Sequence, residues 1–183
     1  MNFRLHYNAP VILTFSLICV VIFAINAITN GAISPYVSLA GSFDTHNWVD
    51  YLTLFTHCIG HSSVDHLLGN LTLLLLIGPV LEEKYGARKI GLMIAATALI
   101  TGILNALLFH EGLWGASGIV FMLVMLISFV NVQAGKIPIT FILILILFVG
   151  RELYNSFSED NISQFAHIVG GIVGSLFGFI GKK

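Results

Sequence analysis

Six stretches of this 183-residue chain are all but free of Asp, Glu, Lys and Arg: roughly 10–28, 64–81, 90–109, 116–132, 137–150 and 165–180. Each approaches the roughly 20 apolar residues that carry a helix across a bilayer. Backbone polar groups in lipid must pair within the segment, so helices are the form expected of them. The fifth stretch is the shortest; it is expected either to extend to 153 or to sit where the bilayer thins. The chain is 57% hydrophobic and 9% charged, with a mean hydropathy of +0.95, far more apolar than a soluble domain. These features predict an all-α membrane protein, a six-transmembrane-helix bundle forming one membrane domain over 1–183. The first run follows Arg4 but is longer than a signal core and lacks a cleavage site, so it reads as a retained helix.

An even number of spans places both termini on one side, and the basic residues say which. Arg4, Lys84, Arg88, Lys89, Lys136, Lys182 and Lys183 all fall on the side of the termini, against Arg151 on the other. Lys and Arg are retained in the cytoplasm, so both termini are expected there. The connection 31–63 carries Asp44 and Asp50 but no Lys or Arg, as an external loop should. A net charge of −1 without a basic run argues against nucleic acid as a partner. Cys19 and Cys58 are far apart in sequence and read as two small core residues.

Polar side chains inside spans are costly and therefore informative. The second, fourth and sixth spans run from outside to inside, and each carries polar residues near its start: His66 and Asn70, Ser117, and His167. They are expected at one shallow depth, around one cavity. His66 and Asn70 are four apart and share a helical face. Ser117 lies in Gly115-Ala116-Ser117-Gly118 at a helix start, where free N–H groups and the positive dipole end suit an oxyanion. A serine hydroxyl needs a base to become a nucleophile, and His167 is the candidate. Taken singly, a serine at a helix start is more often a cap, and a histidine in a span more often an interhelical hydrogen bonder. Taken together, the set favours catalysis.

These residues resemble the rhomboid family of intramembrane serine proteases, in its compact six-helix bacterial form. Gly115-Ala116-Ser117-Gly118 is similar to its Gly-x-Ser-Gly motif, and Ala166-His167-x-x-Gly170-x-x-x-Gly174 to its histidine motif. His66-x-x-x-Asn70, Gly78-x-x-x-Glu82-x-x-x-Gly86, and Phe55-Thr56-His57 with His61 match further signatures. The resemblance implies a serine endopeptidase with a Ser117–His167 dyad and no third carboxylate. It implies an oxyanion hole formed by Asn70, His66 and the Ser117 backbone N–H, with no cofactor and no metal. Phe121, one turn after Ser117, is suited to lie under the His167 ring, where the family often has Tyr. Gly170, Gly174 and Gly178 make a stripe for close approach of the fourth span, with Gly115 and Gly118 as further supports. Glu82 reads as an interfacial cap or an ion-pair partner of Lys84 or Arg88. Where many relatives carry Trp-Arg in the first external loop, this chain has Leu52-Thr53, so hydrogen bonding within that loop is expected to differ.

The implied partners are membrane lipid and substrates that are themselves transmembrane proteins, cut where helix-breaking residues expose the backbone. The implied location is the bacterial inner membrane, with the site opening to the periplasm. Substrate entry is expected past the fifth span, 137–153, with 152–163 as a cap. The rival readings are a metal site formed by His57, His61, His66 and His167, and a transporter using the same residues to join helices.

Overall fold

The computed structural model describes residues 6–109, 112–129, 139, 142, 143, 146, 147 and 162–180. The helices among them are α1 (Pro10–Ile28), α2 (Ser34–Val37), α3 (Trp48–Thr56), α4 (Val64–Tyr85), α5 (Ala87–Leu108), α6 (Ser117–Phe129) and α7 (Ile162–Ile180), with a 3-10 turn at His57–Ile59 between α3 and α4. Among the described residues, α1, α4 and α5 are long and apolar enough to cross a membrane, and α6 and the 166–178 part of α7 are shorter apolar helices. Five of the six expected spans are therefore present as helices. The remaining one, the fifth, 137–153, lies outside the described residues apart from Ile139, Ile142, Leu143, Ile146 and Leu147, which are helical and exposed.

Helix ends differ from the charge-free stretches in an instructive way. α4 runs to Tyr85 and α5 begins at Ala87, so Glu82, Glu83, Lys84, Arg88 and Lys89 are helical rather than loop. Charges at helix ends reach the headgroup region and need not end a helix. The whole turn is Gly86, whose φ of +84° suits glycine and whose N–H donates to Glu82 O at 2.8 Å. At the other end of α4, Ser63 Oγ accepts the His66 N–H at 3.1 Å, and Asp65 stands in the first turn.

α1 packs antiparallel to α4, and two residues of α4 make the joint. A Cβ at Gly78 would lie 2.8 Å from Ile12, so glycine admits the close crossing. One turn later Glu82, buried, caps α1: its carboxylate oxygens accept the Val11 and Ile12 N–H groups at 3.0 and 2.9 Å. The cap expected of Glu82 is thus made to a neighbouring helix. It also sets the α1 start beside the α4–α5 turn with its Lys84, Arg88 and Lys89. Cys19 and Cys58 are free thiols in the core.

The connection 31–63 holds α2, α3 and the 3-10 turn. Helix α3 is inverted relative to one on a water-facing surface: Asp50 and Thr53 are buried (8% and 2% exposed), whereas Trp48 is 67% exposed beside exposed Tyr51, Leu52 and Phe55. Such an aromatic face suits the membrane interface. Inside, the Asp50 carboxylate accepts the Asp44 N–H at 2.7 Å and Asn47 Nδ2–H at 2.8 Å, and Asn47 Oδ1 caps α3 through the Val49 N–H at 3.1 Å. The loop is therefore held by an Asn–Asp pair. Gly102 of α5 seats α3, since a Cβ there would meet Leu54 Cα at 2.9 Å.

Replacing Glu82 by Ala should lower unfolding stability in detergent by about 1–3 kcal/mol, the cost of leaving buried N–H donors unsatisfied, with Glu82→Gln intermediate. Equal stability of Glu82→Ala and wild type in denaturant titrations would show that other groups serve those donors.

Candidate active site

Helices α6 and α7 run parallel, in contact along a ladder of glycines. A Cβ at Gly170 would strike the Gly118 carbonyl oxygen and lie 3.0 Å from Gly118 Cα. At Gly174 it would lie 2.8 Å from Met122 Cα, and at Gly178 2.7 Å from the Phe129 ring. Gly118 faces back, with Ala166 O 3.2 Å and Thr101 Cγ2 3.3 Å from its own would-be Cβ. Backbone against backbone, the start of α6 is pressed onto the turn of α7 that carries His167. The His167 ring stacks on Phe121 with centroids 4.0 Å apart and planes 10° apart. Ser117 is the first residue of α6, one turn before Phe121. The start of α6, which Ser117 opens, and the turn of α7 that carries His167 are thereby in contact through Gly118, Ala166 and Phe121.

The segment preceding Ser117 is held by three histidines. Gly115, at φ +124°, donates its N–H to His57 O at 2.9 Å. The Ala116 N–H donates to His61 Nε2 at 3.5 Å. His66 lies over Gly115 so closely that a Cβ there would be 2.6 Å from Cε1 and 2.7 Å from Nε2. Only a glycine fits both that contact and that φ. Upstream, Leu113 exchanges backbone hydrogen bonds with Leu39 at 2.8 and 3.0 Å, tying this segment to the connection 31–63. The Val120 N–H returns to Ala116 O at 2.9 Å, which leaves the N–H groups of Ser117 and the next two residues without intrahelical acceptors.

His66 and Asn70 lie on one face at the start of α4, as their spacing predicts. Asn70 is buried, and its Nδ2 donates to His66 O at 3.0 Å, leaving a second N–H on that nitrogen. The rings of His61 and His66 meet edge to face with centroids 5.1 Å apart. His57 points away from them: its Nε2 donates to Ala98 O at 3.1 Å and lies 3.4 Å from Thr101 Oγ1. The histidines of the metal alternative thus do not converge, and among the described residues no three His, Cys, Asp or Glu form a metal-binding group.

One polar element escapes the sequence reading. Thr97, Thr101 and Asn105 are fully buried along one face of α5, at intervals of four. Thr101 donates to Thr97 O and Ala98 O at 2.8 and 2.9 Å and supports His57. The signal was available in the spacing of three polar residues inside an apolar run.

Burial depresses both His57 and His61 to about 4, the first partly offset by its bond to Ala98, the second helped down by nearby His66. Both are neutral near pH 7, and in His61 a neutral ring is what accepts the Ala116 N–H.

The fold defines an all-α membrane protein in which the turn of α7 carrying His167 packs against α6, the helix that Ser117 begins. Residues 49–183 match the family model described as Rhomboid domain, and the chain belongs to the rhomboid family. It is 26% identical over 131 residues to the rhomboid protease GlpG of Haemophilus influenzae, covering 70% of this chain and 68% of that one. It is 37% identical over 126 residues to RHOMBOID-like protein 4 of Arabidopsis thaliana, and 29% over 134 residues to Rhomboid-related protein 1 of Caenorhabditis elegans. Each of the latter matches covers 66% of this chain, but 31% and 37% of those longer proteins.

Acid should destabilise the fold in a defined window. Below about 6.5 the unfolded chain takes up protons that folded His57 and His61 refuse until about pH 4. The unfolding midpoint in detergent should be flat above that window and fall as pH drops through it. A midpoint insensitive to acid would mean that both rings take protons in place.

Proposed function

We propose that the chain is an intramembrane serine endopeptidase that hydrolyses peptide bonds in or near transmembrane helices of membrane-protein substrates. The observation that carries this reading is the stack of His167 on Phe121, with Gly170 against Gly118, which holds the turn bearing His167 against the helix that Ser117 begins. Membership of the rhomboid family supports the same reading.

Ser117 Oγ attacks the substrate carbonyl carbon while His167 takes its proton. The carbonyl oxygen becomes an oxyanion, held by the Ser117 N–H, His66 and the remaining N–H of Asn70; one such side-chain donor is worth about 3 kcal/mol. His167 then gives its proton to the leaving nitrogen as the C–N bond breaks. Water, deprotonated by His167, attacks the ester and releases the acid and Ser117. No carboxylate orients His167 in this scheme; the Phe121 face does so by packing. Gly115, Gly118, Gly170 and Gly174 serve the chemistry by letting backbones approach.

The substrates we infer are transmembrane proteins whose helices are locally weakened near the cut, reaching the site from lipid past 137–153. The orientation proposed puts both termini in the cytoplasm of a bacterial cell and the site toward the periplasm, in keeping with the basic α4–α5 turn lying at the α1 start.

The test is cleavage of a model transmembrane substrate in liposomes by wild type, Ser117→Ala and His167→Ala, with and without chelator. Loss in both variants, with folding and chelator-treated activity retained, is the expected outcome. Cleavage by both variants, or a wild type that binds stoichiometric metal and never cuts, would replace this reading by a histidine metal site. Gly174→Leu should reduce cleavage more than a hundredfold, on the order of the penalty for an ångström of misplacement, and a fluorophosphonate probe should then label Ser117 correspondingly slowly. Wild-type labelling of Gly174→Leu would separate the glycine ladder from catalysis.

A further inference from the structure

The two nitrogens of His66 face different surroundings. Nδ1 lies 3.2 Å from Ser62 Oγ, whereas the Nε2 edge is pressed against Gly115, two residues before Ser117. The ring has little other freedom. Ser63 Oγ fixes its backbone N–H at 3.1 Å, Asn70 Nδ2 its carbonyl at 3.0 Å, and the His61 ring closes one side at 5.1 Å between centroids. What remains open is which nitrogen carries the proton when the ring holds one.

A hydroxyl can donate or accept, but an oxyanion can only accept. For His66 to serve the developing oxyanion through Nε2, the proton must be on Nε2 and the lone pair on Nδ1. We infer that Ser62 is a positioning residue that holds His66 in the Nε2–H tautomer by donating its hydroxyl proton to Nδ1. The inference deepens the protease reading and rests on it for the role of His66. It follows a general rule for working imidazoles, in which the far nitrogen's partner decides the tautomer of the near one. Ser62 itself is exposed, so water competes with it and its effect on rate is modest.

The experiment pairs a tautomer measurement with kinetics on Ser62→Ala, Ser62→Thr and Ser62→Val. In protein labelled with 15N-histidine in micelles, His66 should be the Nε2–H tautomer in wild type and Ser62→Thr, and a mixture of tautomers in Ser62→Ala and Ser62→Val. In the two variants lacking a hydroxyl, kcat for a transmembrane substrate should fall about fivefold, the equivalent of one net hydrogen bond, with KM and the unfolding midpoint unchanged. Wild-type tautomer and kcat in Ser62→Ala, or equal behaviour of Ser62→Thr and Ser62→Val, would overturn the inference. The tautomer measurement needs no substrate. If wild type proved to cleave nothing, the protease reading would fall by itself, and the spectrum would still decide whether Ser62 sets the ring.

Discussion

Everything at the candidate site depends on two helices touching backbone to backbone. Gly170 lies on Gly118 with no room for a methyl group between them, and that contact brings His167 of α7 to the first turn of α6. In lipid the association of helices gains nothing from expelling water, so close van der Waals packing must supply it. The glycine ladder does this over more than two turns, from Gly170 to Gly178, and the Phe121–His167 stack completes it at the outer end. Chemistry and assembly therefore use the same contact. A larger residue in the ladder would weaken the pair of helices and displace the imidazole together.

The second constraint acts on the segment that leads into α6. Two successive amides, Gly115 and Ala116, are taken up by His57 O and His61 Nε2, while the His66 ring covers the Gly115 α-carbon. With those donors engaged, the unused N–H groups begin at Ser117. His57 is itself anchored to Ala98 O, with Thr101 Oγ1 of α5 beside it. These histidines thus form a frame between α5 and α6. This is a structural use of imidazole, different from the one proposed for His167.

Much of this was legible in the sequence, because lipid narrows the choices. Long apolar runs could only be helices, and Gly-x-Ser-Gly, the His66/Asn70 spacing and the glycine stripe each specify a local geometry that the structure contains. The i, i+4 relation of Ser117 and Phe121 was enough to expect a ring beneath His167. Two things were less legible. Charge-free stretches misplaced the ends of α4 and α5, because Glu82, Lys84 and Arg88 stay helical at the interface. The polar face of α5 was overlooked, since threonines that bond back to their own helix, as Thr97 and Thr101 do, look apolar in a hydropathy count. The Asn47–Asp50 pair within the loop was beyond reach for another reason: its partners are backbone groups, which sequence does not display.

The carboxylate of Glu82 meets α1 at amides 71 and 70 residues earlier in the chain. That bond can form only after α4 has crossed the bilayer and its far end has come back to the side on which α1 began. Were α4 to stop short or enter the wrong way round, the acid and the two amides would face opposite leaflets, each stranded without a partner. A single side chain thereby makes the native fold distinguishable in energy from its mis-inserted alternatives. It acts as a check on topology, applied once the second crossing is complete.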